Sequence, residues 1–147
     1  MLKGIDPLLS PELLSVLRAM GHGDEVVVVD ANFTAARLAN GRPVIRLDGI
    51  DLGRACEAIL SVLALDAAVE CPISYMKVCN TPDGYVSSVQ EEVINMVVAE
   101  GYATAEQCEA LERFAFYDRV ADSQVCAIVQ TGERRTYANF IFKKGVI

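Results

Sequence analysis

The chain has 147 residues, of which 52% are hydrophobic, and a formal net charge of −7. That length supports one domain over residues 1–147 with a substantial core, and no apolar run approaches the roughly 18 residues that cross a bilayer. The acidic balance, with lysines and arginines scattered, argues against nucleic acid, whose phosphates require a basic surface.

The first residues, MLKGIDPLL, carry a lysine, an aspartate and a proline and lack the apolar stretch of a secretory signal, so cytoplasmic residence is the expectation. The high apolar content implies that copies of the chain bury surface against one another. Next comes a helix start at Ser10-Pro11, where serine caps free amides and proline tolerates the first helical position. Leu13, Leu14, Leu17 and Met20 recur at helical spacing, and Gly21 is placed to take a left-handed stop. Glu25 to Asp30 encloses four valines, too short and too β-branched for a helix, and reads as a buried strand.

Val44 to Leu47 reads as a second strand ending in an Asp48-Gly49 turn, followed by a helical face of Leu52, Ala55, Cys56, Ile59, Val62 and Leu63. Ile73 to Val78 predicts another strand before the Thr81-Pro82-Asp83-Gly84 turn. Ser88 and Glu91 are spaced as a capping box for a helix carrying Val89, Val93, Met96 and Val97, which Gly101 would close. The pattern from Thr104 to Arg119 is compatible with helix throughout. Val125 to Val129 and Asn139 to Phe142 read as final strands. Strands interleaved with helices predict an α/β fold: a three-layer domain with a mixed or largely parallel sheet and helices on both faces.

Candidate chemistry is sparse. His22 is the only histidine, and it lies between two glycines at the hinge from helix to strand. Flanking glycines leave the imidazole accessible, and near Asp24 and Asp30 it can act as general acid or base; equally, the glycines can serve a tight turn with His22 a bystander. Asp30, closing a buried strand, faces either a ligand crevice or its own turn. Arg113, beside Phe114, Phe116 and Tyr117, suits either a hydroxylated ligand or packing. Tyr137, Ala138 and Asn139 offer uncharged donors and acceptors of the kind sugar hydroxyls use, or a turn.

Five cysteines without a C-x-x-C pair, and one histidine, do not assemble a zinc site, and the cysteines are expected to be reduced. Phosphate-loop, dinucleotide-binding and nucleophile-elbow motifs are absent.

Several blocks in order along the chain resemble the fucose mutarotase and ribose pyranase family. They are Leu8-Leu9-Ser10-Pro11-Glu12-Leu13-Leu14, Met20-Gly21-His22-Gly23-Asp24-Glu25, Asp30-Ala31-Asn32-Phe33 and Ile45-Arg46-Leu47-Asp48-Gly49. Further blocks are Arg113-Phe114-Ala115-Phe116-Tyr117, Thr131-Gly132-Glu133, Tyr137-Ala138-Asn139 and Lys143-Lys144-Gly145-Val146. The stretch from about Asp66 to Cys108 carries little of the resemblance. The M-G-H-G-D-E and R-F-x-F-Y blocks favour the fucose branch.

The resemblance implies interconversion of sugar anomers, with L-fucose as substrate, without metal or organic cofactor. D-ribose pyranase activity, or sugar binding without turnover, are the alternatives. His22 matches the family's proton donor; Asp30, Arg113, Tyr137, Ala138 and Asn139 match substrate-binding positions. Relatives carry Tyr-Gly-Asn where this chain has Tyr137-Ala138-Asn139. The resemblance also implies a homo-oligomer, in bacterial relatives a ring of ten subunits with sites near subunit contacts. It further implies a strand just before Arg113 and a helix beginning near Phe116. On this reading the valine strand is a rigid support that delivers Asp30 to the pocket of His22.

Overall fold

The computed structural model describes residues 1–147 and shows one six-stranded sheet between two helical layers. Helix α1 (Pro11–Ala19) starts as expected, with Ser10 Oγ accepting the Leu13 amide. Its end differs from expectation. Met20 leaves the helix in an extended conformation, Gly21 has no positive φ, and its N–H is donated to the Asp24 carboxylate instead. The left-handed residue is Gly23, at φ +87°.

Strand β1 (Glu25–Val29) is buried along its whole length. It pairs in parallel with β5 (Val125–Thr131) and antiparallel with β6 (Phe140–Lys143). Because side chains alternate along a strand, Val26 and Val28 enter one core while Val27 and Val29 enter the other. The sheet order is β2-β5-β1-β6-β3-β4, with β2 (Val44–Leu47), β3 (Ile73–Met76) and β4 (Cys108–Leu111). Five strands run the same way and β6 alone is reversed, which follows from its antiparallel pairing with both β1 and β3.

The larger core lies under α1, α3 (Leu52–Leu60) and α4 (Ser88–Ala99); the smaller lies under α2 (Ala35–Leu38) and α5 (Arg113–Ala121). Several sequence expectations shift. Helix α2 was not foreseen: four residues are too few to display a period. Helix α3 stops at Leu60, so Val62 and Leu63 lie beyond it. Strand β3 ends at Met76, and the Lys77 amide goes to the Leu111 carbonyl. The α4 capping box is Ser87 with Gln90, one residue ahead of the predicted pair, and Gly101 follows the helix at φ +72°. In the ambiguous stretch, β4 precedes Arg113 as expected, but α5 begins at Arg113 itself, because Glu112 accepts the amides of Phe114 and Ala115. Strand β5 runs on to Thr131. No helix is long and apolar enough to cross a membrane.

Candidate active site

Parallel strands that point the same way bring the residues after them to one edge, the usual place for a ligand crevice in α/β sheets. Asp30 follows β1, Arg113 follows β4, and Met76 ends β3. The reversed β6 brings Tyr137 and Asn139 to the same edge, because they precede it. Together with Phe33 these residues line a cavity of about 220 Å³. That is below the roughly 300–1,000 Å³ typical of drug-sized ligands, and it fits a small one.

The floor of the crevice is an interlocked pair. The Asn139 carboxamide donates to Asp30 Oδ2 at 3.0 Å and accepts the Asp30 amide at 3.1 Å, while Asp30 Oδ1 accepts the Asn32 amide at 2.9 Å. Both side chains are buried. Burial raises the Asp30 carboxyl above the ordinary range, against the opposing pull of the Asn32 and Asn139 bonds. The carboxyl is therefore easier to protonate than that of a free aspartate.

Arg113 is the first residue of α5. Its Nε donates to the Tyr117 hydroxyl at 3.1 Å, one turn along the helix, and its guanidinium lies over the rings of Tyr117 and Phe114, 5.4 and 5.9 Å from their centroids. Its terminal nitrogens donate to no protein acceptor, which leaves them for a ligand. Tyr137 holds φ +62°, a left-handed conformation for a bulky residue, and the neighbouring Cys79 thiol pushes its phenol up. The strain is held by Gln90. Fully buried, its Nε2 donates to the carbonyls of Tyr137 (2.9 Å) and Met76 (2.7 Å), while its Oε1 accepts the Ser87 amide.

Ala138 is a different case. Its side chain is fully buried in the larger core, so only its backbone can reach the crevice. Positive φ falls on Tyr137 and not on Ala138, so alanine takes the family glycine's place without backbone strain.

His22 is not in this crevice. It precedes β1 and lies at the opposite edge of the sheet, where it joins a second cavity with Leu17, Val62, Lys144 and Val146. At about 3.3 Å of rise per residue, the strand between Asp24 and Asp30 separates the two ends by about 20 Å. The expectation that β1 delivers Asp30 to the pocket of His22 is therefore corrected for a single chain. Asp24 is not its partner either, being bonded to the Gly21 amide at 2.7 Å. The carboxylate that meets the imidazole is Asp66, whose Oδ1 lies 3.1 Å from His22 Nε2.

Sequence reasoning missed Asp66 and Gln90. A correctly placed capping box at Ser87 would have exposed Gln90. Asp66 carries no local signal. No cluster of three or more metal-ligating side chains exists.

The model of the RbsD / FucU transport protein family matches residues 3–147. An L-fucose mutarotase of Glaesserella parasuis is 45% identical over 99% of this chain and 96% of its own. The crystal structure of a Streptococcus pneumoniae fucose mutarotase in complex with L-fucose superposes with a TM-score of 0.89 at 38% identity, covering 99% of both chains. The structure of Bacillus subtilis RbsD complexed with D-ribose, 21% identical with a TM-score of 0.67 over 100% of this chain and 99% of its own, shares the fold.

Proposed function

The chain belongs to the RbsD / FucU family, and from that premise we propose that it is an aldose mutarotase, an isomerase that interconverts the α and β anomers of L-fucose. The observation that carries this reading is the crevice. A buried carboxyl locked to a carboxamide, an arginine with free donors and a strained tyrosine converge at the carboxyl ends of the strands. Uncharged and charged donors of this kind suit sugar hydroxyls. The buried faces of Phe33 and Met76 supply an apolar wall suited to the methyl group of a 6-deoxy sugar.

Mutarotation needs only proton movement. The anomeric hydroxyl gives up its proton, and the C1–ring-oxygen bond breaks with delivery of a proton to that oxygen. The free aldehyde rotates about C1–C2, and closure reverses the transfers. General acid–base groups accelerate such steps roughly 10²–10⁴-fold, so no organic cofactor or metal is called for. In this reading Asp30, Arg113, Tyr137, Asn139 and the backbone of Ala138 hold the sugar, and His22 is the proton donor.

The separation of His22 from Asp30 gives the proposal a quaternary requirement: the imidazole comes to the crevice from a neighbouring subunit of a homo-oligomer, as in a ring of ten. Exposed apolar side chains at both edges support it: Val62 and Val146 around His22, and Phe114 beside Arg113. We place the protein in the cytoplasm, a reading supported by five free cysteines, the state a reducing compartment maintains.

The test is NMR magnetisation exchange between the α and β anomers of L-fucose, with D-ribose run alongside. Accelerated exchange on L-fucose is expected. No acceleration by folded protein overturns the reading, and faster turnover of D-ribose reassigns the chain to the pyranases.

A further inference from the structure

His22 and Asp66 are 44 positions apart, yet both hang from the same piece of chain. The extension of β6 through Lys144 and Gly145 has two edges. On one, the Gly23 amide donates to the Lys144 carbonyl at 2.8 Å and the Lys144 amide returns a bond to the Asp24 carbonyl at 2.8 Å. On the other, the Asp66 amide donates to the Lys143 carbonyl at 3.1 Å and the Gly145 amide to the Ala64 carbonyl at 2.8 Å, around the antiparallel bridge Leu65–Lys144. The second edge is unusually close. A Cβ on Gly145 would collide with the Leu65 carbonyl oxygen, so only glycine permits this approach. The Lys144 ammonium adds a bond to the Met20 carbonyl at 2.7 Å, tying down the start of the histidine turn.

The bracket presents a half-exposed imidazole to an almost wholly buried carboxylate: the side chains are 52% and 6% exposed. Asp66 Oδ1 also accepts the Ala68 amide at 3.0 Å, which fixes the carboxylate plane. That bond, then the contact with His22, then the charge of Lys143 hold the Asp66 carboxyl below its ordinary range. An ionised carboxylate only accepts hydrogen bonds, so the nitrogen facing it must carry the proton.

We propose that Asp66 is the positioning residue for His22: it keeps a proton on Nε2, so that Nδ1 is the nitrogen that exchanges a proton with the sugar. This rests on the reading of His22 as the proton donor. In the ring-opening direction, the Nδ1 proton of the imidazolium passes to the ring oxygen as the C1–oxygen bond breaks. The electron pair of that bond goes to the oxygen, the anomeric hydroxyl forms the C=O as it gives its proton to a base, and His22 is left neutral with Nε2–H still bonded to Asp66. The carboxylate, 3.1 Å from Nε2, orients the ring throughout.

Because the chain has a single histidine, ¹⁵N-labelled protein gives one pair of ring-nitrogen signals. Long-range ¹H–¹⁵N correlation in the neutral form is expected to show Nε2–H alone. In Asp66→Ala a mixture of the two tautomers is expected. Its kcat should fall on the order of 10- to 100-fold, within the roughly 10²–10⁴ that a general acid–base group supplies in all, at nearly unchanged KM. Asp66→Asn, whose Oδ1 can keep both the Ala68 and His22 bonds, restores the Nε2–H form and part of kcat. A mixed tautomer in the unaltered protein, or an Asp66→Ala protein that keeps both tautomer and kcat, overturns the proposal; the first measurement needs no variant to fold. His22→Ala separates the two readings: wild-type exchange by that variant removes His22 from the mechanism whatever its tautomer.

Discussion

The two edges of the sheet are both polar, but they are held in different ways. At the carboxyl edge, Asp30, Asn139 and Tyr137 sit in or beside the ends of strands and are fixed by side chains: Asn139 on Asp30, Gln90 on the Tyr137 carbonyl. At the amino edge, His22 and Asp66 sit in turns outside the strands and are fixed by backbone pairing to the β6 extension. Behind them the buried Glu25 carboxylate takes Arg119 at 2.6 Å and Lys143 at 3.0 Å, which ties α5 and β6 to the start of β1. One edge is shaped to receive a ligand. The other presents a single accessible imidazole. On the proposed reading of His22 as proton donor, neither is sufficient without the other.

The sharpest way to break the distinction is to inactivate the edges on separate subunits. Oligomers of His22→Ala alone, or of Asp30→Asn alone, should lose exchange on L-fucose by about 10²-fold or more. Co-assembled from equal amounts, the two variants should regain activity at roughly one site in four, the fraction random pairing gives in a closed oligomer. No recovery after verified mixing would show that both residues act from the same chain.

Loosening the carboxyl edge alone is expected to have a smaller effect. Gln90→Leu leaves the Met76 and Tyr137 carbonyls without their buried donor and should cost about 1–3 kcal/mol of stability in urea titrations. KM should rise several-fold while the His22 ring signals stay in place; a shift of those signals would mean the two edges are coupled through the sheet.

A pH series separates the edges in another way. Glu133 lies beside Asp30, its carbonyl accepting the Ala31 amide, and Arg135 holds its carboxyl down to about 2, below the ordinary 4.5. A lowered pKa means that its stabilising contribution is complete above pH 4.5 and is lost as pH falls through 2. The difference in urea midpoint between the unaltered protein and Glu133→Gln should be largest near neutrality and vanish by about pH 2. A difference independent of pH would remove the ion pair as its cause.

The smallest effect is expected at Ala138. Restoring the family's glycine removes a buried methyl and frees the unfolded backbone, at a cost of about 1 kcal/mol. Exchange rate and the preference for L-fucose over D-ribose should not change, because the methyl points into the core. Altered sugar preference would show that the backbone at this position moves with its side chain.

Much of the fold was legible because its signals are local. A capped helix start at Ser10-Pro11, a run of four valines and the turns at Gly49 and Gly84 each report on themselves within a few residues. Some of the readings that failed were also local, where adjacent signals compete: Ser87 against Ser88 as the cap, and Gly21 against Gly23 as the left-handed residue. At Gly21 the outcome was set by the Asp24 carboxylate, which accepts the Gly21 amide and removes any need for a left-handed stop there.

The crevice residues could be nominated from the sequence by residue type and block resemblance, but the reading that put Asp30 in the pocket of His22 overlooked the fixed rise of the strand, about 20 Å from Asp24 to Asp30. Sequence by itself determined most of the elements, their alternation and the candidate chemistry, but not α2 and, by residue pattern alone, not β4. Only the tertiary structure decided which candidates meet. The reversal of β6 is what brings Tyr137 and Asn139 to Asp30, and the close passage of Gly145 along Leu65 is what brings Asp66 to His22. Such pairings depend on which strand edges find each other across long loops, and residue spacing along the chain does not encode them.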